Sequence, residues 1–506
     1  MQQRNVLQYL EATVKEVPDK VAYEDADGRA MTFREVFDAS RSIGSCLARE
    51  GFGHEPVIIF MEKTPMCVAT FFGTVYGGCF YVPIDEEMPA MRIDLIIKTL
   101  QPRVMICDEK TVKKAQELDF HGRILVYEEI SALGEDTGRL DEIRREQIDT
   151  DPIYIVFTSG STGVPKGVVA CHRSVIDYIE NLSEVLRFDR DTRFGNQSPF
   201  YFDACLKELY PTIKFGASTV IVPRQLFMFP LKLVEFLNEK KINTICWVVS
   251  ALTMISSLGA LKKETPKYLK TIAFGSEVFP IKQFNRWRQA VPGARFVNLY
   301  GPTEATGMSC WYEADRDFEE GEAIPIGRPF ENTRILLLDD EDKLADEGEI
   351  CIAGTPVTLG YFNAPDKTAE AFVQNPLNRN YPETIYRTGD IARRNENGEL
   401  VFVSRKDYQI KHMGHRIELG EIEANVATDD LISLCCAVYV REKDRIQLYY
   451  TGERDEKELG ESLKEHLPRY MLPGRIVKLD TMPLTPNGKI DRKLLSGMAA
   501  GSKGER

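Results

Sequence analysis

Ten residues from Thr158 to Gly167 hold three glycines, four hydroxyl side chains and one lysine. They follow Ile153-Tyr154-Ile155-Val156-Phe157, an apolar run with the length and branching of a buried strand. Gly160, Gly163 and Gly167 let the backbone turn successive N–H groups inward, and Thr158, Ser159, Ser161 and Thr162 add donors. Lys166 adds a positive charge. Such a loop can hold phosphate oxygens, because consecutive backbone amides form an anion-binding nest. An unspecialised Gly/Ser connection ahead of a helix would use the same residue types. The segment also departs from the Gly-Lys-Ser/Thr phosphate loop, since Lys166 follows Pro165 and precedes Gly167.

Three further places carry chemistry-bearing side chains. Phe296-Val297-Asn298-Leu299-Tyr300-Gly301 reads as a strand edge opening into a turn, with Thr303 and Glu304 just beyond. Carboxylate oxygens such as those of Glu304 suit a hard cation bridging phosphates. Taken alone, Tyr300 is an ordinary half-buried packing residue. Asp390 follows Arg387-Thr388-Gly389, where a short acid can accept two hydroxyls or cap a turn. Lys489, in Pro486-Asn487-Gly488-Lys489, is by itself a solvated turn charge. None of the six histidines stands in a nucleophile context, so no Ser/His/Asp triad is expected.

The elements around these residues alternate. Short apolar runs at 57–60, 80–83, 103–107 and 123–127 are separated by amphipathic or charged helical stretches. Residues 8–50 carry helical periodicity interrupted by a charged turn at 25–28. After the Gly-rich loop come a helix at 174–185, a strand at 218–222, a helix at 232–240, and strands at 244–248 and 271–274. This alternation predicts an α/β fold with largely parallel sheets. Beyond residue 311 the rhythm changes to short strands with acidic or glycine turns, as in a small β-rich subdomain. From 408 onwards a charged helix, two strands and a Leu-spaced helix predict a C-terminal α+β unit. The expected division is a core over 1–404, with α/β halves at about 1–180 and 181–310 and the β-rich part at 311–404. A hinge at 405–407 and a mobile lid at 408–506 complete it.

Composition bounds the class. A chain of 506 residues exceeds a single hydrophobic core, and 43% hydrophobic with 28% charged residues is ordinary for a soluble protein. A net charge of −13 gives no support to a nucleic-acid surface. No apolar run reaches the roughly 20 residues that span a bilayer, and the N-terminus is not a signal segment. The eleven cysteines lack metal-ligand spacing and read as buried thiols in a reducing cytosol. The expected location is cytoplasmic.

The sequence resembles the adenylate-forming enzymes, and within them the amino-acid adenylation domains of nonribosomal peptide synthesis and the stand-alone D-alanine–carrier-protein ligases. The matching segments run in order through the Thr158–Gly167 loop, Phe202-Asp203, Asn298 to Thr306, Gly327-Arg328-Pro329, Gly348-Glu349-Ile350, Gly360-Tyr361, Tyr386 to Asp390, the block from Arg405 to Glu423, and Pro486 to Arg492. The resemblance implies two half-reactions. A carboxylate attacks the α-phosphorus of ATP to give an acyl-adenylate and pyrophosphate. A phosphopantetheine thiol of a carrier protein then takes the acyl group as a thioester. Both steps rest on positioning and charge stabilisation.

Roles follow residue by residue from the resemblance. Thr158, Ser159, Gly160, Ser161, Thr162, Gly163 and Lys166 hold the β- and γ-phosphates. Asn298 and Tyr300 bind the nucleotide, Tyr300 stacking on the adenine, with Thr303 near the α-phosphate and Glu304 on Mg²⁺. Asp390 binds the ribose, with Arg405 near ribose and phosphate; the usual glycine before it is Ser404 here. Lys489 bridges the substrate carboxylate and the α-phosphate. It must then leave, with the chain turning at Asp407 to present Lys411 and Gly414 for thiol transfer.

Asp203 matches the aspartate that pairs with a substrate α-ammonium; alone it could cap a turn. The projected side-chain pocket is Ala204, Lys207, Trp247, Ile272, Phe274, Leu299, Gly307 and Met308, with Trp247 fixed only to within one position because its flanks depart from the usual pattern. The bulk of Trp247, Phe274 and Leu299 favours a small neutral or apolar amino acid. Lys207 keeps an acidic one open, since a buried ammonium needs a counter-charge or an escape to water. The carrier-attachment motif is absent from the sequence, so the expected carrier is a separate protein. A CoA-dependent carboxylate ligase is the alternative enzyme, for which Asp203 is awkward. A catalytically silent adenylate-binding protein is the alternative class, against which Lys166, Glu304, Asp390 and Lys489 all stand intact.

Overall fold

A computed structural model describes residues 3–160, 163–406, 409–484 and 490–501. Two compact units emerge, one holding most of residues 1–406 and the other holding 87–99, 157–166 and 407–506.

The larger unit is built on three sheets. A six-stranded sheet runs Arg123–Val126, Val104–Cys107, Pro56–Phe60, Phe80–Pro83, Pro152–Thr158 and Lys166–Cys171. A nine-stranded sheet has a parallel centre of Thr271–Gly275, Thr244–Val248, Arg193–Asn196 and Ser218–Ile221, flanked by Arg295–Tyr300. The third is antiparallel: Thr333–Leu338, Glu347–Gly354, Thr384–Arg394 and Phe372–Gln374, with Leu400–Arg405 also on Thr384–Arg394. The expected α/β layers and β-rich part are therefore present. Parallel strands read as continuous apolar runs because helices cover both faces.

The expected grouping of strands needs correction. Residues 8–50 are not helical throughout: Val21–Glu24 and Ala30–Thr32 form a hairpin between helices Leu7–Glu16 and Phe33–Arg49. Its turn is closed by Asp25, whose Oδ1 accepts the amides of Asp27 and Arg29 at 2.9 and 3.0 Å. Val21–Glu24 then pairs in parallel with Ser218–Ile221, so a strand from the first 180 residues joins the nine-stranded sheet. At its other end that sheet takes Cys310–Glu313 and Arg328–Pro329 from beyond residue 310. The second helix starts where a capping box dictates. Thr32 accepts the Glu35 amide, and the Glu35 carboxylate accepts the Thr32 amide at 2.7 Å.

Alternation across the nine-stranded sheet creates two apolar cores. Cys246, Ala273, Val297 and Leu299 pack on one face with Tyr178, Cys205 and Met308. Trp247, Ile272, Phe274 and Phe296 pack on the other with Leu252, Phe279 and Phe284. The eleven cysteines are free thiols, all but Cys435 buried. Among the described residues no helix is long and apolar enough to cross a membrane.

His172 is fully buried, and its Nδ1 accepts the Val6 amide at 3.4 Å. Burial lowers its pKa from 6.5 to about 3, with Arg144 adding to the effect. The unfolded chain therefore binds this proton first as pH falls below 6.5, and the neutral imidazole's contribution is lost progressively towards pH 3. Between pH 7 and 5, His172→Gln should lose about 2 kcal/mol less stability than the parent chain, read by urea unfolding at both pH values.

The smaller unit carries a three-stranded sheet, Ile432–Val440, Arg445–Gly452 and Arg475–Lys478, packed on helices Leu419–Val426 and Glu456–His466. A two-residue turn at Met413-Gly414 joins strands Gln409–His412 and His415–Glu418. Both turn residues have positive φ, 52° and 80°, the geometry a tight antiparallel turn demands.

Candidate functional site

In the larger unit, a carboxylate joins two ladders. Asp390 and Arg405 are direct partners on neighbouring strands. Asp390 is buried; its Oδ1 accepts Arg405 Nη1 at 2.5 Å and its Oδ2 accepts the Tyr300 hydroxyl at 2.6 Å. Arg405 also donates to the Thr388 carbonyl at 3.1 Å. Burial, then the Asp390 charge, pushes the Tyr300 hydroxyl well above the usual phenol range, so it stays a donor. Three residues expected at the nucleoside thus stand in one hydrogen-bonded chain. Asn298 instead turns its amide to the Pro325 carbonyl at 2.8 Å.

Past Tyr300 the backbone folds back on itself tightly. A Cβ on Gly301 would lie 2.5 Å from both Gly307 O and Met308 Cα, so only glycine fits. The turn Thr303–Ala305 then presents Thr303 and Glu304. Glu304 is fully buried and accepts the Tyr361 hydroxyl at 2.8 Å. Asp203 opens the short turn Asp203–Cys205 that leads into helix Leu206–Phe215. Burial raises the pKa of its carboxyl, Thr303 and Lys207 lower it, and Glu304 raises it. Asp203, Thr303 and Glu304, distant in sequence, therefore share one electrostatic environment.

The projected side-chain pocket is only partly assembled. Lys207, one helical turn past Asp203, is buried, and Leu299 and Met308 pack on the same core face as Cys205. Gly307 lies beside Tyr178, whose ring carbons would stand 3.4 Å from an added Cβ. Trp247, Ile272 and Phe274 are elsewhere. The Trp247 indole donates to the Gly195 carbonyl at 2.6 Å, and the Phe274 ring packs at 5.0 Å on Phe279. Register gives the reason. Gly275 pairs with Leu299 and Ala273 with Val297, so Phe274 shares a face with Asn298 instead. In a strand a slip of one position reverses the face. The residues on the Leu299 side are Cys246 and Ala273, with Tyr178 from helix His172–Leu186. Placing the first two requires the register between three strands, which the sequence does not carry. Tyr178 carries no motif signal.

A second group of buried polar residues was not anticipated. Glu208 is fully buried; its Oε2 accepts Asn196 Nδ2 at 3.2 Å. Burial pushes its pKa up to about 8, against the pull of Lys207 and Lys63. Lys63 donates to the Gln197 carbonyl at 3.2 Å, and burial brings its pKa down to about 8 while Glu208 opposes.

The glycine-rich loop belongs to the smaller unit. Thr158 is buried, and its hydroxyl has no hydrogen-bond partner among the described residues. Ser159 Oγ donates to the Arg416 carbonyl at 2.9 Å and accepts the Glu418 amide at 3.2 Å. The Gly160 amide donates to Glu421 Oε2 at 3.2 Å, and Arg92 forms a buried ion pair with the same carboxylate. A Cβ on Gly160 would lie 2.1 Å from the Val164 carbonyl oxygen, so the loop requires glycine there. Gly163 has a φ of +80°, and Lys166 opens strand Lys166–Cys171. Arg92 and Glu421 were invisible to motif reading because their pairing spans more than 300 residues of sequence. Lys411 and Gly414 sit on the hairpin around Met413. Ser161, Thr162, Asp407 and Lys489 lie outside the described residues.

The chain is 31% identical to tyrocidine synthase 1 of Brevibacillus parabrevis over 98% of its own length and 45% of that protein. It spans less than half the length of the curated relatives it matches. Its fold resembles holo-PA1221, described as an NRPS protein containing adenylation and PCP domains bound to a vinylsulfonamide inhibitor, with a TM-score of 0.83, 23% identity, and 97% and 84% of the two chains covered. It also resembles the Vibrio cholerae adenylation domain AlmE in complex with glycyl-adenosine-5'-phosphate, with a TM-score of 0.84, 20% identity and 99% of each chain covered. The family model described as AMP-binding enzyme matches residues 10–362, which include the glycine-rich loop, Asp203 and the Thr303-Glu304 turn. With that span matched, the chain belongs to the AMP-binding enzymes.

Proposed function

We propose that this protein activates an amino acid with ATP as an aminoacyl-adenylate, releasing pyrophosphate. The aminoacyl group then passes to the phosphopantetheine thiol of a separate carrier protein. The observation that carries this reading is the assembly of two anchors in one unit: the Tyr300–Asp390–Arg405 chain and the Asp203, Thr303 and Glu304 group. The first suits a nucleoside, its carboxylate accepting ribose hydroxyls beside an aromatic ring. The second suits a zwitterion and a phosphate. Asp203 would hold the α-ammonium, leaving the substrate carboxylate free to approach the α-phosphorus near Thr303.

Mg²⁺ fits through Glu304. Among the described residues no three metal-binding side chains come together, and this ion is commonly held by one or two carboxylates with the rest of its shell from phosphates and water. When bound, it would neutralise phosphate charge. Lys166 and the loop amides would hold the leaving pyrophosphate, and Lys489 would stabilise charge as the new anhydride bond forms. Turning at Asp407 would then bring Lys411 and Gly414 into play for thiol transfer. The adenylation and PCP domains named for PA1221 support a carrier protein as acceptor. The adenylate named for AlmE supports the first half-reaction. A cytoplasmic location fits the free, buried thiols.

The test is amino-acid-dependent ATP–pyrophosphate exchange across an amino-acid panel. Asp203→Asn should raise the KM for the amino acid about 100-fold, the scale of losing a charge-assisted pair, and leave the KM for ATP within about twofold. Equal loss for both substrates would remove Asp203 from the ammonium site.

A further inference from the structure

We infer that Tyr361 is a positioning residue for Mg²⁺, its hydroxyl setting the Glu304 carboxylate in the orientation that meets the ion. This rests on the reading of Glu304 as a metal ligand given above and adds the group that holds it. Glu304 is fully buried, and Tyr361 Oη donates to its Oε1 at 2.8 Å. A carboxylate withdrawn from water keeps its charge only where donors or a cation meet it. A phenol donor does so without cancelling the charge, and it restricts rotation of the carboxylate. Donors standing behind a metal ligand in this way are commonly worth about 10- to 100-fold in metal affinity or activity.

Tyr361 is itself pinned by its backbone and its ring. Its amide donates to Thr368 Oγ1 at 3.0 Å, and its ring meets the Phe372 ring edge-on at 5.5 Å. Gly360 before it has a φ of +99°, and a Cβ there would stand 2.5 Å from Thr368 Cγ2, so the close approach needs glycine. The hydroxyl therefore reaches Glu304 from a buried side chain with little freedom to swing.

The neighbouring backbone grips the same turn. The Thr358 amide donates to the Glu304 carbonyl at 3.0 Å. Thr306, which closes the turn with a φ of +53°, donates through Oγ1 to the Pro356 carbonyl at 2.7 Å. Side chain and main chain of Glu304 are thus both held by residues 356–361. The same stretch pairs with the strand that follows the glycine-rich loop. Leu359 N donates to Val169 O at 2.9 Å, Val169 N to Gly360 O at 3.0 Å, and Phe362 N to Gly167 O at 2.8 Å. One piece of backbone therefore fixes the carboxylate against a sheet strand. The resemblance gives Gly360-Tyr361 no role; this geometry does.

The experiment measures binding of the Mn²⁺ complex of α,β-methylene-ATP to the full chain by electron paramagnetic resonance, and of the same nucleotide in EDTA by calorimetry. It compares the parent with Tyr361→Phe and Glu304→Gln. Phenylalanine keeps the ring on Phe372 and removes one oxygen. Tyr361→Phe should weaken the Mn²⁺ complex about 10-fold and the metal-free nucleotide less than about twofold, with a larger metal-dependent loss in Glu304→Gln. In pyrophosphate exchange Tyr361→Phe should need about 10-fold more Mg²⁺ for half-maximal rate, and excess Mg²⁺ should bring kcat to within about threefold of the parent. Unchanged binding of the Mn²⁺ complex in Tyr361→Phe, or equal weakening with and without metal, overturns the inference and leaves Glu304 as metal ligand where Glu304→Gln loses the Mn²⁺ complex. Parent-like binding of that complex by Glu304→Gln overturns the metal reading itself.

Discussion

Asp390→Ala is expected to lower kcat/KM for ATP about 1000-fold in pyrophosphate exchange, and Asp390→Asn about 100-fold. Two charge-assisted hydrogen bonds to ribose, each worth roughly 1.5–3 kcal/mol, set that scale. The carboxylate is buried between Tyr300 and Arg405, so its removal also takes the ion-pair partner of Arg405 and the acceptor of the Tyr300 hydroxyl. The asparagine keeps the shape and one acceptor, which separates loss of charge from loss of packing. The KM for the amino acid should change little, because Asp203 belongs to the other anchor. A variant with wild-type ATP dependence would show that the Tyr300–Asp390–Arg405 chain is structural alone.

Tyr300, Asp390 and Arg405 were each singled out in the sequence because they sit in short motifs, Asn298 to Thr306, Tyr386 to Asp390 and the block opening at Arg405. Their meeting was not legible, because Tyr300 ends a strand of the nine-stranded sheet and Asp390 lies in the separate antiparallel sheet. The grouping of the projected pocket residues was less legible for a reason that is geometrical. Trp247, Ile272 and Phe274 pack on the opposite face of the sheet from Leu299, since the period of a strand is two. Bulk had suggested a small apolar substrate, and that argument ends once those rings belong to the other core. The hairpin Val21–Glu24 and Ala30–Thr32 was hidden by its brevity between two amphipathic helices. Its strand pairing with Ser218–Ile221 is a long-range contact that no local pattern encodes. The buried Arg92–Glu421 pair and the Lys63–Glu208 relation are of the same kind.

Lys489→Ala is expected to reduce the adenylation rate at saturating substrates by about 10²–10³-fold, the loss found when a positioned transition-state donor is removed. KM values should move far less, because the ammonium acts on charge that develops as the anhydride bond forms. Transfer from pre-formed aminoacyl-adenylate to a carrier thiol should be nearly unaffected, since the resemblance removes this lysine before the second step. Equal loss in both half-reactions would assign Lys489 to stability or to general binding.

The chemistry itself is tested most directly by product balance. The purified chain, given ATP, Mg²⁺, hydroxylamine and the preferred amino acid, should release AMP, pyrophosphate and aminoacyl-hydroxamate in equal amounts. Release of ADP and phosphate, or AMP with no hydroxamate from any amino acid offered, would contradict carboxylate activation by adenylate formation.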